Sequence, residues 1–123
     1  MADTLSAFVK TADWKSEKHV PVITILSPVK ANEMVEVEVS VGKEIPHPNT
    51  VEHHIVWVAL HFVPAGSPVS VELGRMDFSA HGPEAATAPV AKFSVLAAKS
   101  GTLHATAYCN LHGLWSSSAP IQL

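Results

Sequence analysis

Eight histidines and one cysteine are the side chains of this 123-residue chain best suited to holding a metal ion or passing electrons. The histidines fall at 19, 47, 53, 54, 61, 81, 104 and 112, and the cysteine at 109. Strand geometry sorts them. His53 and His61 share parity, but eight residues at about 3.3 Å each put them roughly 26 Å apart, too far to share an ion. His54 follows His53 and points to the opposite face of a regular strand; His104 has opposite parity to Cys109, about 17 Å away along one strand. These two and His61 read as packing or surface residues, and His81, in Ala-His-Gly-Pro-Glu, sits in a turn with no partner at ligand spacing. His19, His47, His53 and the pair Cys109 and His112 remain.

Each of these five lies at a loop or a strand end. Cys109-Asn110-Leu111-His112 brings a thiolate and an imidazole close enough to chelate one ion. Pro46 and Pro48 bracket His47 and hold it in an extended or turn conformation, so a stiff loop runs from His47 to His53 and can return its ends to one point. Any one of these residues alone reads as structural, since a lone cysteine is commonly buried and inert. The set carries the argument. A single thiol excludes an intrachain disulfide and a four-cysteine centre. Four imidazoles and a thiolate exceed the four ligands that close a structural zinc site. Five such donors leave an octahedral ion one open position, and iron suits both donor types, the thiolate pushing electron density towards whatever binds opposite. A ferrous ion with one thiolate ligand carries one net positive charge and attracts a small anion.

The elements that must position these residues are strands. Met34 to Val41 alternates, with Val at every odd position, as a half-buried antiparallel strand does. Further β-rich runs fall at Val20 to Leu26, His54 to Val63, Val69 to Leu73, Val90 to Leu96, Leu103 to Cys109 and Ala119 to Leu123, separated by Gly, Pro, Asn and Ser. About seven short strands predict one all-β domain over residues 1–123, an immunoglobulin-like antiparallel sandwich without the antibody cysteine pair. Val9 to His19 and Gly42 to Glu52 resist the strand reading and are site candidates, because loops on a β-scaffold carry function. Hydrophobic residues at 47% and charged residues at 15% supply one core and exclude disorder. A net charge of −3 disfavours nucleic acid as a partner. The apolar run Ile55 to Leu60 stops at His61, which predicts no membrane span. Met1 to Lys18 lacks a secretory pattern, which predicts a cytoplasmic protein.

Four stretches, Glu17-Lys18-His19-Val20-Pro21-Val22-Ile23, Gly42-Lys43-Glu44-Ile45-Pro46-His47-Pro48-Asn49-Thr50, Glu52-His53-His54-Ile55 and Cys109-Asn110-Leu111-His112-Gly113-Leu114-Trp115, resemble the superoxide reductases of the single-iron, neelaredoxin type. With the strands between them the resemblance covers most of the chain. It implies one mononuclear iron per chain, bound through Nε of His19, His47 and His53 and Nδ of His112, with Cys109 axial. Glu17 would fill the sixth position in the ferric state only. Lys18 would supply positive charge and order water beside the open position. The implied reaction is one-electron reduction of superoxide to hydrogen peroxide, with re-reduction by an external donor such as rubredoxin, in a homo-oligomer, dimer or tetramer. If residues 17–19 formed a regular strand, Lys18 would point away from Glu17 and His19, so this segment is expected to be irregular and mobile. Two departures from many relatives stand out: Val56 replaces an arginine after Ile55, and the segment from Ala80 to Ala88 is shorter.

The alternative from another class is an electron-transfer or metal-binding sandwich of cupredoxin type. Such proteins cluster a Cys, a His and often an axial Met near the C-terminus. Here Met1, Met34 and Met76 all precede Cys109, and four histidines rather than two are available, which argues against copper. Trp14, Trp57 and Trp115 read as packing residues.

Overall fold

A computed structural model describes residues 3–123; Met1, weighed above, lies outside them. Seven strands form two antiparallel sheets: β1 (Pro21–Ile25), β2 (Met34–Val41), β3 (Ile55–Pro64), β4 (Val71–Asp77), β5 (Val90–Leu96), β6 (Gly101–Cys109) and β7 (Gly113–Ile121). The order is β1-β2-β5 in one sheet and β4-β3-β6-β7 in the other. The chain therefore changes sheets between β2 and β3, between β4 and β5, and between β5 and β6. The one helix among the described residues is a four-residue 3-10 turn, Leu5–Phe8. None is long and apolar enough to cross a membrane.

The alternation in β2 does what its pattern requires: Val35, Val37, Val39 and Val41 are buried between the sheets, facing Val58, Leu60, Leu103, Ala105 and Ala107 from the other layer. Each fully buried valine or leucine contributes about 1.5–3 kcal/mol relative to exposure, so burial between the sheets favours the sandwich.

Three strands depart from the alternation-based boundaries by two residues or more, the sixth by beginning at Gly101 rather than Leu103. The fourth begins at Val71 rather than Val69, because Ser67 Oγ accepts from the Val69 amide at 3.1 Å and keeps that residue in the turn. It then runs on to Asp77 through Gly74, where an added Cβ would meet the Phe93 ring at 2.7 Å. The seventh begins at Gly113, six residues before the expected Ala119. Ser116, Ser117 and Ser118 look like a polar break in the sequence, yet they pair with Thr106, Ala105 and His104 of β6, and the ladder outweighs local polarity.

Register places the candidate residues at one end of the sandwich. Pro21 at the start of β1 pairs with Val41 at the end of β2, and Ile55 at the start of β3 pairs with Cys109 at the end of β6, which in turn pairs with Gly113. Everything that precedes β1, joins β2 to β3 or joins β6 to β7 must therefore meet there. The register shift between Ile55 and Trp57 is a bulge beside Cys109, a device that re-aims side chains next to sites.

Candidate metal centre

Three separate segments bring donors together at this end. Residues 14–19 are turns rather than strand, in line with the irregularity expected there. They place His19 buried, with Glu17 and Lys18 half-buried beside it. The loop from Gly42 to His54 supplies His47 and His53. Gly42 opens it with φ of 85°, and a Cβ at that position would lie 2.6 Å from the His47 amide nitrogen, so only glycine permits this close return. The β6–β7 turn supplies Cys109, fully buried, and His112, exposed; Gly113, at φ 81°, closes it.

The donors converge. One atom each from His19, His47, His53 and Cys109 lies within 4.8 Å of the others, a group that could hold a metal ion. Nδ1 of His112 lies 3.1 Å from His19 Nε2, 3.2 Å from His53 Nε2 and 3.7 Å from Cys109 Sγ. Imidazole nitrogens this close repel through their lone pairs unless positive charge sits among them, and one proton on His112 can bridge only one neighbour at a time. Nε2 of His47 is buried and has no hydrogen-bond partner, an arrangement that costs free energy unless a cation takes the lone pair.

The outer nitrogens fix the rings. His19 Nδ1 donates to Glu17 Oε1 at 2.6 Å, and the His19 amide donates to the same oxygen at 3.0 Å. His47 Nδ1 donates to the Pro48 carbonyl at 2.7 Å. Each bond leaves Nε2 as the inward lone pair, the tautomer a ligand needs. The Glu17 carboxylate thus rests on the outer edge of His19, outside the donor cluster. That hydrogen bond holds the Glu17 carboxyl below the usual carboxylate range, against the opposing effect of burial. Burial, opposed by the bond to Pro48 and reinforced by neighbouring positive charge, pushes His47 down to about 4, so this ring stays neutral and free of proton competition above that pH. Burial lowers His53 as well, with further contributions from His112, His19 and Lys18. Lys18, half-buried and next to His19 in the chain, adds a smaller lowering effect through its charge on both His47 and His53.

Several residues that hold the site give no such signal in the sequence. Trp115 stacks on His19 with centroids 4.9 Å apart and planes 13° apart, and its Nε1 donates to the His112 carbonyl at 3.2 Å, so one indole braces two of the donors. Asn110 ties the β6–β7 turn to the longer loop: its Oδ1 accepts from the His54 amide at 2.9 Å and its Nδ2 donates to the Glu52 carbonyl at 3.0 Å. His81, expected to lack a partner at ligand spacing, lies outside the donor cluster and stacks on His54 with centroids 3.5 Å apart. The aromatic and amide character of these residues was legible; their partners, 27 to 96 positions away in most cases, were not. His61 contacts Glu72 at 3.6 Å on the outer face of the sheet, away from the donors.

Residues 11–118 match the desulfoferrodoxin family. The superoxide reductase of Pyrococcus horikoshii is 46% identical over 118 residues, covering 96% of this chain and 99% of its own. The neelaredoxin of Megalodesulfovibrio gigas is 45% identical over 123 residues, covering 93% and 94%. Among solved structures, the reduced superoxide reductase (neelaredoxin) of Archaeoglobus fulgidus superposes with a TM-score of 0.88 at 52% identity, covering 94% of this chain and 99% of that one. A two-sheet β-sandwich, a histidine and cysteine cluster at one end of it, and relatives of this kind along nearly the whole length lead to one assignment: the chain belongs to the desulfoferrodoxin family and stands with its superoxide reductases.

Proposed function

We propose that this chain reduces superoxide by one electron to hydrogen peroxide at one mononuclear iron held by His19, His47, His53, His112 and Cys109, in the cytoplasm. The observation that carries the reading is the convergence of imidazole lone pairs around a buried Nε2 of His47 that has no other partner. The donor set suits iron: neutral imidazoles and one thiolate ligate it well, and five donors are more than structural zinc takes. Iron, when bound, supplies the electron, and an external donor such as rubredoxin returns it.

The chain's own residues do the rest. Lys18, half-buried beside His19, supplies positive charge that attracts an anion in a protein whose net charge is −3. Such steering raises the encounter rate and weakens with salt. The exposed ring of His112 and the half-buried ring of His53 mark the open side, through which superoxide enters and solvent delivers the two protons that the product needs. Glu17 orients His19 in the arrangement described; in the oxidised state its carboxylate would turn from His19 to the sixth position. A homo-oligomer, dimer or tetramer, remains part of this reading.

The test is iron content per chain with the visible spectrum of the oxidised protein, in wild type and Cys109→Ser, followed by superoxide consumption. One iron per chain, a sulfur-to-iron charge-transfer band that Cys109→Ser abolishes, and loss of nearly all reductase activity are expected. Stoichiometric zinc or copper after expression in iron-replete medium, or a spectrum indifferent to Cys109, would overturn the proposal.

A further inference from the structure

We infer that His81 and Asn49 form a clamp that sets the spacing of His47 and His53, making His81 a positioning residue for the metal centre. The inference rests on the reading that those two histidines bind the ion.

The loop that carries both donors has little packed behind it. A cavity of about 510 Å³ lies against it, lined by Asn49, Thr50, Val51, Glu52, His81 and Gly82 among others, and Val51 is 63% exposed. Hydrophobic packing therefore cannot fix the loop from that side, and polar contacts must. Within the loop, Thr50 and His53 exchange backbone hydrogen bonds of 2.9 and 3.2 Å, which closes a small turn but does not anchor it to the sandwich.

The anchor on this side comes from the segment between β4 and β5, which contributes no donor of its own. Asn49, two residues after His47, donates through Nδ2 to the Thr87 carbonyl at 3.0 Å. That bond fixes the amide orientation, so Oδ1 faces His81 and accepts from its Nδ1 at 2.9 Å. The other ring nitrogen of His81 lies 3.0 Å from the carbonyl of buried Phe78, at the end of β4. The face of the same ring lies on His54, centroids 3.5 Å apart and planes within 12°. His54 directly follows His53, and its Nδ1 donates to the Thr50 carbonyl at 2.9 Å. His81 thus grips the loop near both donors, through Asn49 next to His47 and through His54 next to His53, and the Asn49 bond to Thr87 ties them to the segment between β4 and β5.

The rings of His47 and His53 stand 4.7 Å apart between these two grips. Releasing either lets that spacing relax, which weakens hold on the metal and changes the donor field that sets its potential. Partners one step removed from ligating groups commonly carry about 10–100-fold in metal affinity.

The experiment compares wild type, His81→Ala, Asn49→Ala, the double variant and His81→Phe, which keeps the stack and loses the hydrogen bonds. Iron loss to a chelator and the midpoint potential are measured on iron-loaded protein, and amide exchange at Thr50 and His53 on metal-free protein. The expected result is iron loss about ten-fold faster in each single alanine variant, a shifted potential, and about ten-fold faster exchange at Thr50 and His53 with β-strand amides unchanged. The double variant should lose little more than either single, as groups acting as one unit do, and His81→Phe should recover part of the retention. Wild-type exchange at Thr50 and His53 in both single variants, additive losses, or exchange rising equally through the strands would overturn the clamp. Failure of wild type to hold iron, with exchange responding as expected, would instead overturn the metal assignment and leave the clamp standing.

Discussion

Glu17 and Lys18 are neighbours with opposite charges and separate consequences. Glu17 holds His19 by its outer nitrogen, and the bond keeps the carboxylate ionised. Under the proposed function, Glu17→Ala should leave superoxide reduction largely intact while opening the oxidised centre to added anions; azide binding followed by the visible spectrum checks this, and unchanged binding would remove Glu17 from the sixth position. The Lys18 side chain forms no hydrogen bond or ion pair with another described residue, and its positive charge lowers His47 and His53, after burial and the neighbouring histidines. Lys18→Ala should therefore slow superoxide consumption several-fold at low ionic strength, flatten its salt dependence and leave iron content unchanged. A variant with the wild-type salt profile would show that steering lies elsewhere.

At the scale of elements, the loop between β2 and β3 is the most exacting part of the structure. Gly42 begins it at φ 85°, and the space a side chain would need is filled by the backbone nitrogen of His47. Gly42→Ala should cost stability of about 1 kcal/mol or more from the positive φ alone, and should also displace His47. A thermal melt reads the first effect and iron per chain the second; full iron content in a folded Gly42→Ala protein would show that the loop tolerates the shift. The sequence made much of this readable for physical reasons. Val35, Val37, Val39 and Val41 alternate because one face of β2 is buried, and Pro46 and Pro48 announce a stiff loop wherever they lie. The five donor candidates were legible because few other roles suit so many imidazoles at strand ends. The start of β7 was not, since Ser116 to Ser118 extend only because β6 lies beside them. The grip of His81 on Asn49 was hidden too, because a contact across 32 residues leaves no periodicity to find.

For the whole molecule, the core and the site meet at Cys109: it is buried with Val35, Val58, Leu60, Leu103 and their neighbours, while His19 and His47 are buried at the end of the sandwich and His112 is exposed there. Removing iron should leave the sandwich folded and lower its melting temperature by about 10 °C, the effect of a ligand held at a hundred times its dissociation constant. Far-ultraviolet circular dichroism of chelated protein checks this; loss of the β signal on chelation would mean the ion is needed for the fold. His19 and His112 meet across 93 positions and His53 and His112 across 59. Under the proposed function no short piece of the chain holds the donor set, so the full site exists only where the sandwich has brought its segments together. That dependence has a cost in selectivity. A finished pocket of imidazole and thiolate ranks copper and zinc above ferrous iron on intrinsic affinity, so correct metallation depends on which ions are free at that moment. The same topology that builds the centre leaves it open to capture by the wrong metal.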